Sequence, residues 1–187
     1  MKKFELTNEF ITNMFGTKLF RIRALVEFGD VEAGELGGYV EKESNLGHDD
    51  NAWVYGNAWV YGDAQVSGDA LVYGNARVYD NAWVYGNAQV SGDAWVCGDA
   101  RVCGNGDYAY AHGFGSVNRT TTFFRLKDGG VGVRCGCFYG TLAQFRDKIR
   151  ETHGETKKAQ EYLMLADLME LRFEEDENEV GNRKYVE

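Results

Sequence analysis

The sequence lacks any long apolar segment. Nowhere in its 187 residues is there an apolar run approaching the ~20 residues that a transmembrane helix requires. The charged start, residues 1–5, also lacks the apolar core of a secretory signal peptide. These absences predict a protein that neither spans a membrane nor is exported, and that therefore resides in the cytoplasm.

Histidine and cysteine are scarce, with three and four residues respectively. His48 and His112 are 64 residues apart, which in the repeat described below is about 17 Å at ~4.8 Å per coil. They cannot share a zinc ion within one chain. The pair Cys135 and Cys137, followed by His153, is either part of a zinc site or two small thiols buried in a hairpin core. We expect the buried thiols, no metal and no cofactor.

Basic residues are nearly absent from the middle of the chain. Residues 48–116 contain two basic and eight acidic side chains, and an acidic surface repels nucleic acid. Residues 117–173 contain ten basic and seven acidic side chains. We therefore predict no nucleic-acid binding along the middle segment, and only the C-terminal segment is expected to attract an anion.

The middle segment is instead a six-residue repeat that runs without interruption over residues 51–104. Ala takes the second place and Val the fourth in all nine units, Asn or Asp opens each unit, and Gly closes all but the one ending at Asp80. Ala and Val point to the same side of a strand, and the Gly-Asn or Gly-Asp pair suits a tight corner. Each unit is therefore predicted to form one side of a prism that stacks on its neighbours.

This pattern resembles the hexapeptide-repeat superfamily. The resemblance implies an all-β core wound as a left-handed parallel β-helix, with three units in each 18-residue coil. In that register no corner Asp lies directly above another corner Asp, an arrangement that avoids repulsion between like charges. The register also places Arg77 between Trp59 and Trp95, which predicts an aromatic–cation–aromatic stack.

Both ends of the chain depart from the repeat. Residues 1–47 are predicted to form an N-terminal β cap and first coil, because an open coil end would expose unpaired backbone groups. In this segment Leu36 falls in the Val register and Val40 in the Ala register of the repeat. Residues 48–116 are assigned to the β-helix itself.

The C-terminal segment, residues 117–173, is predicted to be a small α+β domain. Strands at 120–126 and 131–138 flank an Asp-Gly-Gly turn and form a β-hairpin. Two helices follow, the first opened by a capping box at Thr141. The acidic tail, residues 174–187, is predicted to be disordered.

Segments at both ends also resemble a group of hexapeptide-repeat proteins found in phages and prophages. The resemblance covers nearly the whole chain and implies a phage-derived protein in the host cytoplasm. Superfamily members commonly assemble as parallel trimers. The resembling segments are residues 3–9, 19–25, 135–138, 140–142 and 152–154.

The outward positions of the repeat carry many large aromatic side chains. Three interpretations stay open: ladders that stiffen a β surface, an oligomer interface, or a platform on which a ligand stacks. We expect a homo-oligomer, with a trimer favoured over a dimer. The predicted oligomer or partner surface consists of Trp53, Trp59, Arg77, Trp83, Trp95, Tyr55, Tyr61, Tyr73 and Tyr79.

A basic cluster on the predicted C-terminal helices is the candidate ligand site. Arg146 and Arg150 are four residues apart on one helix face, and Lys157 and Lys158 open the second helix. The cluster is either a solvated helix face or a site for an anion or an acidic partner.

Two functions from different classes remain. The first is a non-catalytic protein that binds a host protein or a small anionic ligand, with a counter-defence role for a phage. The second, which the superfamily resemblance implies, is acetyl-CoA-dependent acyl transfer. Such enzymes place a general-base His beside a loop that leaves the coil, and nine unbroken units leave no such loop. We therefore favour the first function and assign no catalytic residue.

Overall fold

The computed structural model describes residues 2–115 and 118–174. In this part the chain forms an N-terminal hairpin, a stack of short coils, and a C-terminal sheet with two helices. The elements are β1 (Phe4–Thr12), β2 (Lys18–Ala24), β3 (Leu36–Val40), a 3₁₀ turn (Glu43–Asn45), β4 (Trp53–Val54), β5 (Trp59–Val60), β6 (Gln65–Val66), β7 (Leu71–Val72), β8 (Arg77–Val78), β9 (Trp83–Val84), β10 (Gln89–Val90), β11 (Trp95–Val96), β12 (Arg101–Val102), β13 (Tyr108–Phe114), β14 (Arg119–Arg125), β15 (Val131–Cys135), β16 (Phe138–Thr141), α1 (Leu142–His153) and α2 (Lys157–Phe173).

The short middle strands form the coils of a β-solenoid. Each strand pairs in parallel with the strand one coil further on, as Trp59 pairs with Arg77 and Arg77 with Trp95. The strands build three sheets, in the orders β3-β5-β8-β11, β4-β7-β10 and β6-β9-β12. Stacked residues in the regular coils are 18 positions apart, which confirms the predicted coil length.

The solenoid core consists of the repeated Ala and Val side chains. All nine of each are completely buried, because both face the interior while the residue between them faces outward. The corners stack in the same register: Asn51 Nδ2 donates to Asp69 Oδ1 at 2.8 Å, and Asn75 Nδ2 to Asp93 Oδ1 at 3.1 Å. These carboxylates therefore meet an amide in the adjacent coil rather than another carboxylate.

The corners need residues that tolerate a positive φ. Gly68 has a φ of +67°, and a Cβ there would lie 2.9 Å from the backbone nitrogen of Gly86 in the next coil. Asp80, the one corner without Gly, adopts a φ of 58°, which Asp tolerates better than most residues. Its carboxylate accepts a hydrogen bond from Gly98 N at 3.3 Å, so this corner too is tied to the next coil.

An antiparallel hairpin of β1 and β2 closes the first end of the solenoid and continues one of its sheets. Phe4 and Phe28 pack on Trp53, with ring centroids 6.2 and 5.3 Å from the indole. The Lys3 ammonium donates to two backbone carbonyl oxygens of the first coils at 2.7 and 2.9 Å. These contacts bury apolar surface and satisfy acceptors at the coil end.

The first coil is longer than the others. Val40 pairs with Val60, and Leu46 forms a bridge with Val66. Val40 therefore lies in the Val register, and the prediction that placed it in the Ala register is wrong. Leu36, predicted in the Val register, instead pairs with β2 and is 48% exposed. Here pairing with the hairpin, rather than the six-residue period, decides the register.

The C-terminal segment is a four-stranded antiparallel sheet, β13-β14-β15-β16, packed against α1 and α2. The predicted hairpin is its centre, β14 and β15, and the two predicted helices are present. The assignment of residues 48–116 to the β-helix is wrong at its end, because β13 pairs antiparallel with β14. The sheet and helices share a core of Phe123, Val133, Leu142, Phe145, Ile149, Ala159, Tyr162, Ala166, Met169 and Phe173.

The start of α1 is stabilised by the predicted capping box. Gln144 N donates to Thr141 Oγ1 at 3.3 Å, and Thr141 N donates to Gln144 Oε1 at 2.9 Å. Among the described residues, no helix is long and apolar enough to cross a membrane. The predicted disorder of residues 174–187 concerns a segment that, apart from Glu174, lies outside the described residues.

The C-terminal sheet closes the second end of the solenoid. Trp95 N donates to Thr122 Oγ1 at 2.9 Å, and Lys127 N donates to Asp99 O at 3.0 Å. A β-bridge joins Ala100 to Leu126. These contacts place β14 and the turn after it beside the last coil, and the Arg134 side chain of β15 reaches the Trp95 ring on the outer face of β11.

Candidate functional site

A groove of about 850 Å³ runs along the outer face of the β3-β5-β8-β11 sheet. Ile11 of the N-terminal hairpin borders it, and residues of β14 and β15 form its C-terminal wall. We call it the arginine groove. It is lined by Ile11, Tyr39, Asn57, Trp59, Asn75, Arg77, Asp93, Trp95, Arg119, Thr120, Arg134 and Gly136.

A stack of aromatic rings and guanidinium groups forms the floor of the groove. The Cζ atom of Arg77 lies 4.2 Å from the Trp59 ring centroid and 4.7 Å from the Trp95 ring centroid. This confirms the stack predicted from the 18-residue register. Arg134 extends it, with its Cζ atom 5.6 Å from the Trp95 ring. Each such contact contributes about 0.5–1 kcal/mol at a partly exposed site.

The groove is positively charged in a chain with a net charge of −9. Within the described residues, its three arginines, Arg77, Arg119 and Arg134, form no ion pair. Asp93 also lines the groove, and its carboxylate accepts the Asn75 amide at 3.1 Å. Positive charge therefore exceeds negative charge in the lining, which favours an anion.

The basic cluster predicted as a ligand site lies elsewhere, on the helices. Arg146 donates to Asp167 and Glu170, each at 2.8 Å. These hydrogen bonds, above all the one to Asp167, raise the pKa of the guanidinium. Arg150 pairs with a carboxylate of its own helix at 3.3 Å. Arg146 and Arg150 are thus held by carboxylates.

The two lysines of that cluster remain exposed. Lys157 and Lys158 open α2, and neither has an ion pair within the described residues. Among the described residues, the helices therefore carry no group of unpaired cations comparable with the three arginines of the arginine groove. The cluster as predicted combines two paired arginines with two solvated lysines.

The predicted aromatic surface is divided among the three sheets of the solenoid. Trp53, predicted as part of the oligomer or partner surface, occupies the outward position of its unit but is completely buried, because the N-terminal segment covers its face of the first coil. Tyr79 is also buried, at 9% exposure. Only Trp83 and Tyr73 are more than a third exposed. The half-buried members are Trp59, Arg77, Trp95, Tyr55 and Tyr61.

The thiols have different environments. Burial raises the pKa of the Cys97 thiol to about 11, so it is a poor nucleophile at neutral pH. Cys135 is half-buried, and Thr121 Oγ1 donates to its sulfur at 3.2 Å. Cys137 is exposed in the turn before β16. The prediction that both Cys135 and Cys137 are buried in the hairpin core is therefore wrong for Cys137, because β15 ends at Cys135 and Cys137 lies in the turn that follows.

We predict that purified protein contains less than about 0.1 equivalents of zinc, because Cys135 and Cys137 point into different environments and a stable site needs four ligands. Among the described residues no three His, Cys, Asp or Glu side chains are grouped so that they could hold a metal ion. Elemental analysis measures the content, and a chelator is expected to leave the melting temperature unchanged. Stoichiometric zinc would contradict this prediction.

His112 lies beside the groove, a position that the sequence did not indicate. Its Nδ1 is 2.8 Å from the hydroxyl of Thr120, which lines the groove. His48 is at the opposite end of the solenoid, where it stacks on Phe4 with ring centroids 4.4 Å apart. The two histidines are thus separated, as their spacing predicts.

Arg119, Thr120 and Arg134 are groove residues that sequence reasoning missed. They lie on β14 and β15, outside the repeat. Nothing in the spacing of these strands indicates that they dock beside the solenoid face that carries Arg77.

The fold and the groove together define a β-solenoid protein with an α+β C-terminal segment. The YdcK β-solenoid repeat family matches the chain at residues 64–79, 72–86 and 76–92. All three matches fall within the regular coils, so the similarity concerns the repeat and not the groove wall. No curated protein matches the chain.

Proposed function

We propose that this protein is a non-catalytic binding protein that holds an oxyanion-bearing ligand in the arginine groove. The proposal rests on the environment of Arg77. Its guanidinium lies between two indole rings, and it has no ion pair among the described residues. A carboxylate or a phosphate is the partner that its planar donor set matches best.

The stack orients Arg77 for such a ligand. The five N–H donors of a guanidinium lie in its plane, so rings above and below leave these donors available to a group that approaches from the groove. Contacts with Trp59 and Trp95 also restrict the side chain before binding, which lowers the entropy that the ligand must offset.

The C-terminal wall supplies further donors. Arg134 makes one long hydrogen bond, from Nη1 to Cys137 O at 3.4 Å, and its Nε is buried without a partner in the described residues. Arg119 lines the groove next to it. A ligand that bridges Arg77 and this wall would gain two or more charge-assisted hydrogen bonds.

We predict that Arg77→Gln weakens binding of pyrophosphate or citrate by about 10- to 100-fold, because one hydrogen bond to a charged group contributes about 1.5–3 kcal/mol. The two probes distinguish phosphate from carboxylate chemistry. Isothermal titration calorimetry measures the affinities, and binding is expected to weaken as salt is added.

Arg101→Gln is the matched control. Arg101 occupies the same place in its repeat unit as Arg77, and it stacks on Trp83 at 4.5 Å, but it lies on a different sheet and outside the groove. It is expected to bind the probes like the wild type. The proposal fails if neither probe binds at millimolar concentration, or if both variants lose the same affinity.

One observation favours the alternative function, acetyl-CoA-dependent acyl transfer. The contact between His112 and the Thr120 hydroxyl at 2.8 Å is the arrangement of a general base beside a hydroxyl. If the wild type released free CoA thiol from acetyl-CoA and the His112→Gln variant did not, this alternative would be favoured over simple binding. Turnover equal to the background rate would favour the binding protein.

We also propose, on resemblance alone, that the coils wind in the left-handed sense of hexapeptide repeats and that a phage encodes the chain. The ligand or partner would then be a molecule of the host cytoplasm, and the role that of a counter-defence factor. A small anionic metabolite suits the groove better than a folded host protein, because the groove is bordered by chain at both ends.

A further inference from the structure

The exposed side of α2 carries an apolar stripe. Met164, Leu168 and Leu171 are 71%, 54% and 67% exposed, and their spacing of four and three residues places them on one side of the helix. The opposite side of α2 is buried against α1 and the C-terminal sheet. Three large apolar side chains in one stripe mark a contact surface rather than scattered exposure.

Charges of opposite sign lie at similar distances from the midpoint between Met164 and Leu168. Glu161 precedes it and Arg172 follows it, on the same flank of the helix. Neither forms an ion pair within the described residues, and Arg172 makes only a long hydrogen bond to Asn105 O at 3.4 Å.

We propose that two copies of this chain dimerise through α2, with the helices antiparallel about a two-fold axis between Met164 and Leu168. In that arrangement Met164 of each copy packs on Leu168 of the other, and Glu161 of each copy faces Arg172 of the other. A two-fold interface requires a surface that complements itself. The apolar centre with opposite charges on its two sides meets that requirement.

The symmetry of the charges selects a second copy as the occupant. A different partner protein would not require opposite charges at similar distances from the centre, five residues for Glu161 and six for Arg172, whereas a two-fold axis uses both of them twice. The interface is small, in the class below roughly 1,200 Å² that gives weak complexes. The two-fold arrangement predicts a dimer rather than the trimer that the superfamily resemblance implies.

Sedimentation equilibrium over roughly 1–200 µM tests the proposal. The wild type is expected to approach twice the 21.0 kDa mass of the chain. Glu161→Arg alone places two arginines opposite each other, and Arg172→Glu alone places two glutamates, so each is expected to weaken the dimer at least about tenfold. The double variant exchanges the pairs and is expected to restore it.

Two further variants separate this interface from general stickiness. Leu168→Glu, which puts a charge at the centre, is expected to leave a monomer with an unchanged melting temperature. Phe15→Ser, which removes an apolar side chain that is 79% exposed on the β1–β2 turn, is expected to leave the dimer intact. A wild type that stays monomeric, a trimer, or a double charge exchange that fails to restore association would overturn the proposal.

Discussion

Replacing Val78 with Asp is expected to abolish cooperative folding of the protein. Val78 is completely buried in β8, between Val60 and Val96 of the neighbouring coils. A carboxylate there would find neither water nor a partner. An unpaired buried charge costs more than about 4 kcal/mol, which is close to the total stability of about 5–15 kcal/mol that is usual for a domain. Thermal unfolding followed by circular dichroism measures the loss.

Gln89→Asp is the control for this change. It introduces the same side chain in a neighbouring sheet of the solenoid, at an outward position that is exposed, and its melting temperature is expected to stay within about 2 °C of the wild type. If Val78→Asp also melted within about 2 °C of the wild type, the repeated Val side chains would not form the core described above.

Replacing Trp53 with Ala is expected to destabilise the protein by about 3–5 kcal/mol, whereas Trp83→Ala is expected to cost less than about 1 kcal/mol. Trp53 is completely buried and Trp83 is 44% exposed. The Trp53 indole packs on Phe4 and Phe28 of the N-terminal cap, so its removal leaves a cavity. Its N–H has no hydrogen-bond partner in the described part of the chain, which places the expected loss near the lower value.

The comparison is matched because both tryptophans sit in the same hexapeptide, Asn-Ala-Trp-Val-Tyr-Gly. Urea denaturation of the two variants gives the free energies of unfolding. Trp83→Ala also removes the contact between the Trp83 ring and Arg101 at 4.5 Å, and this loss is included in the small expected cost. Equal destabilisation of the two variants would show that the hairpin does not cover Trp53.

The C-terminal segment shows how far a local signal reaches. The Asp-Gly-Gly turn at Asp128 predicted the hairpin and the capping box at Thr141 predicted the start of the first helix, because each signal involves residues close in sequence. The edge strands β13 and β16 were not predicted. Their places depend on pairing with β14 and β15, and the weakened repeat over residues 108–114 resembled one more coil.

The arginine groove shows the same division. The stack of Arg77 between Trp59 and Trp95 followed from the 18-residue period, since neighbours in adjacent coils must be in contact. The contribution of Arg119 and Arg134 did not, because it depends on how the C-terminal sheet docks on the last coil. Counting basic residues led instead to Arg146, whose charge is held by Asp167 and Glu170.

By itself the sequence determined the coil and its core. Ala and Val recur two residues apart in every unit, and local strand geometry directs both inward wherever the unit lies. It could not determine the environment of the outward residue. Residues 51–56, 57–62 and 81–86 are identical hexapeptides, yet the tryptophan of the first is buried under the cap, that of the second lines the groove, and that of the third is exposed. The tertiary structure decided this, because the N-terminal hairpin and the C-terminal sheet, which lie outside the repeat, cover some faces of the solenoid and leave others open.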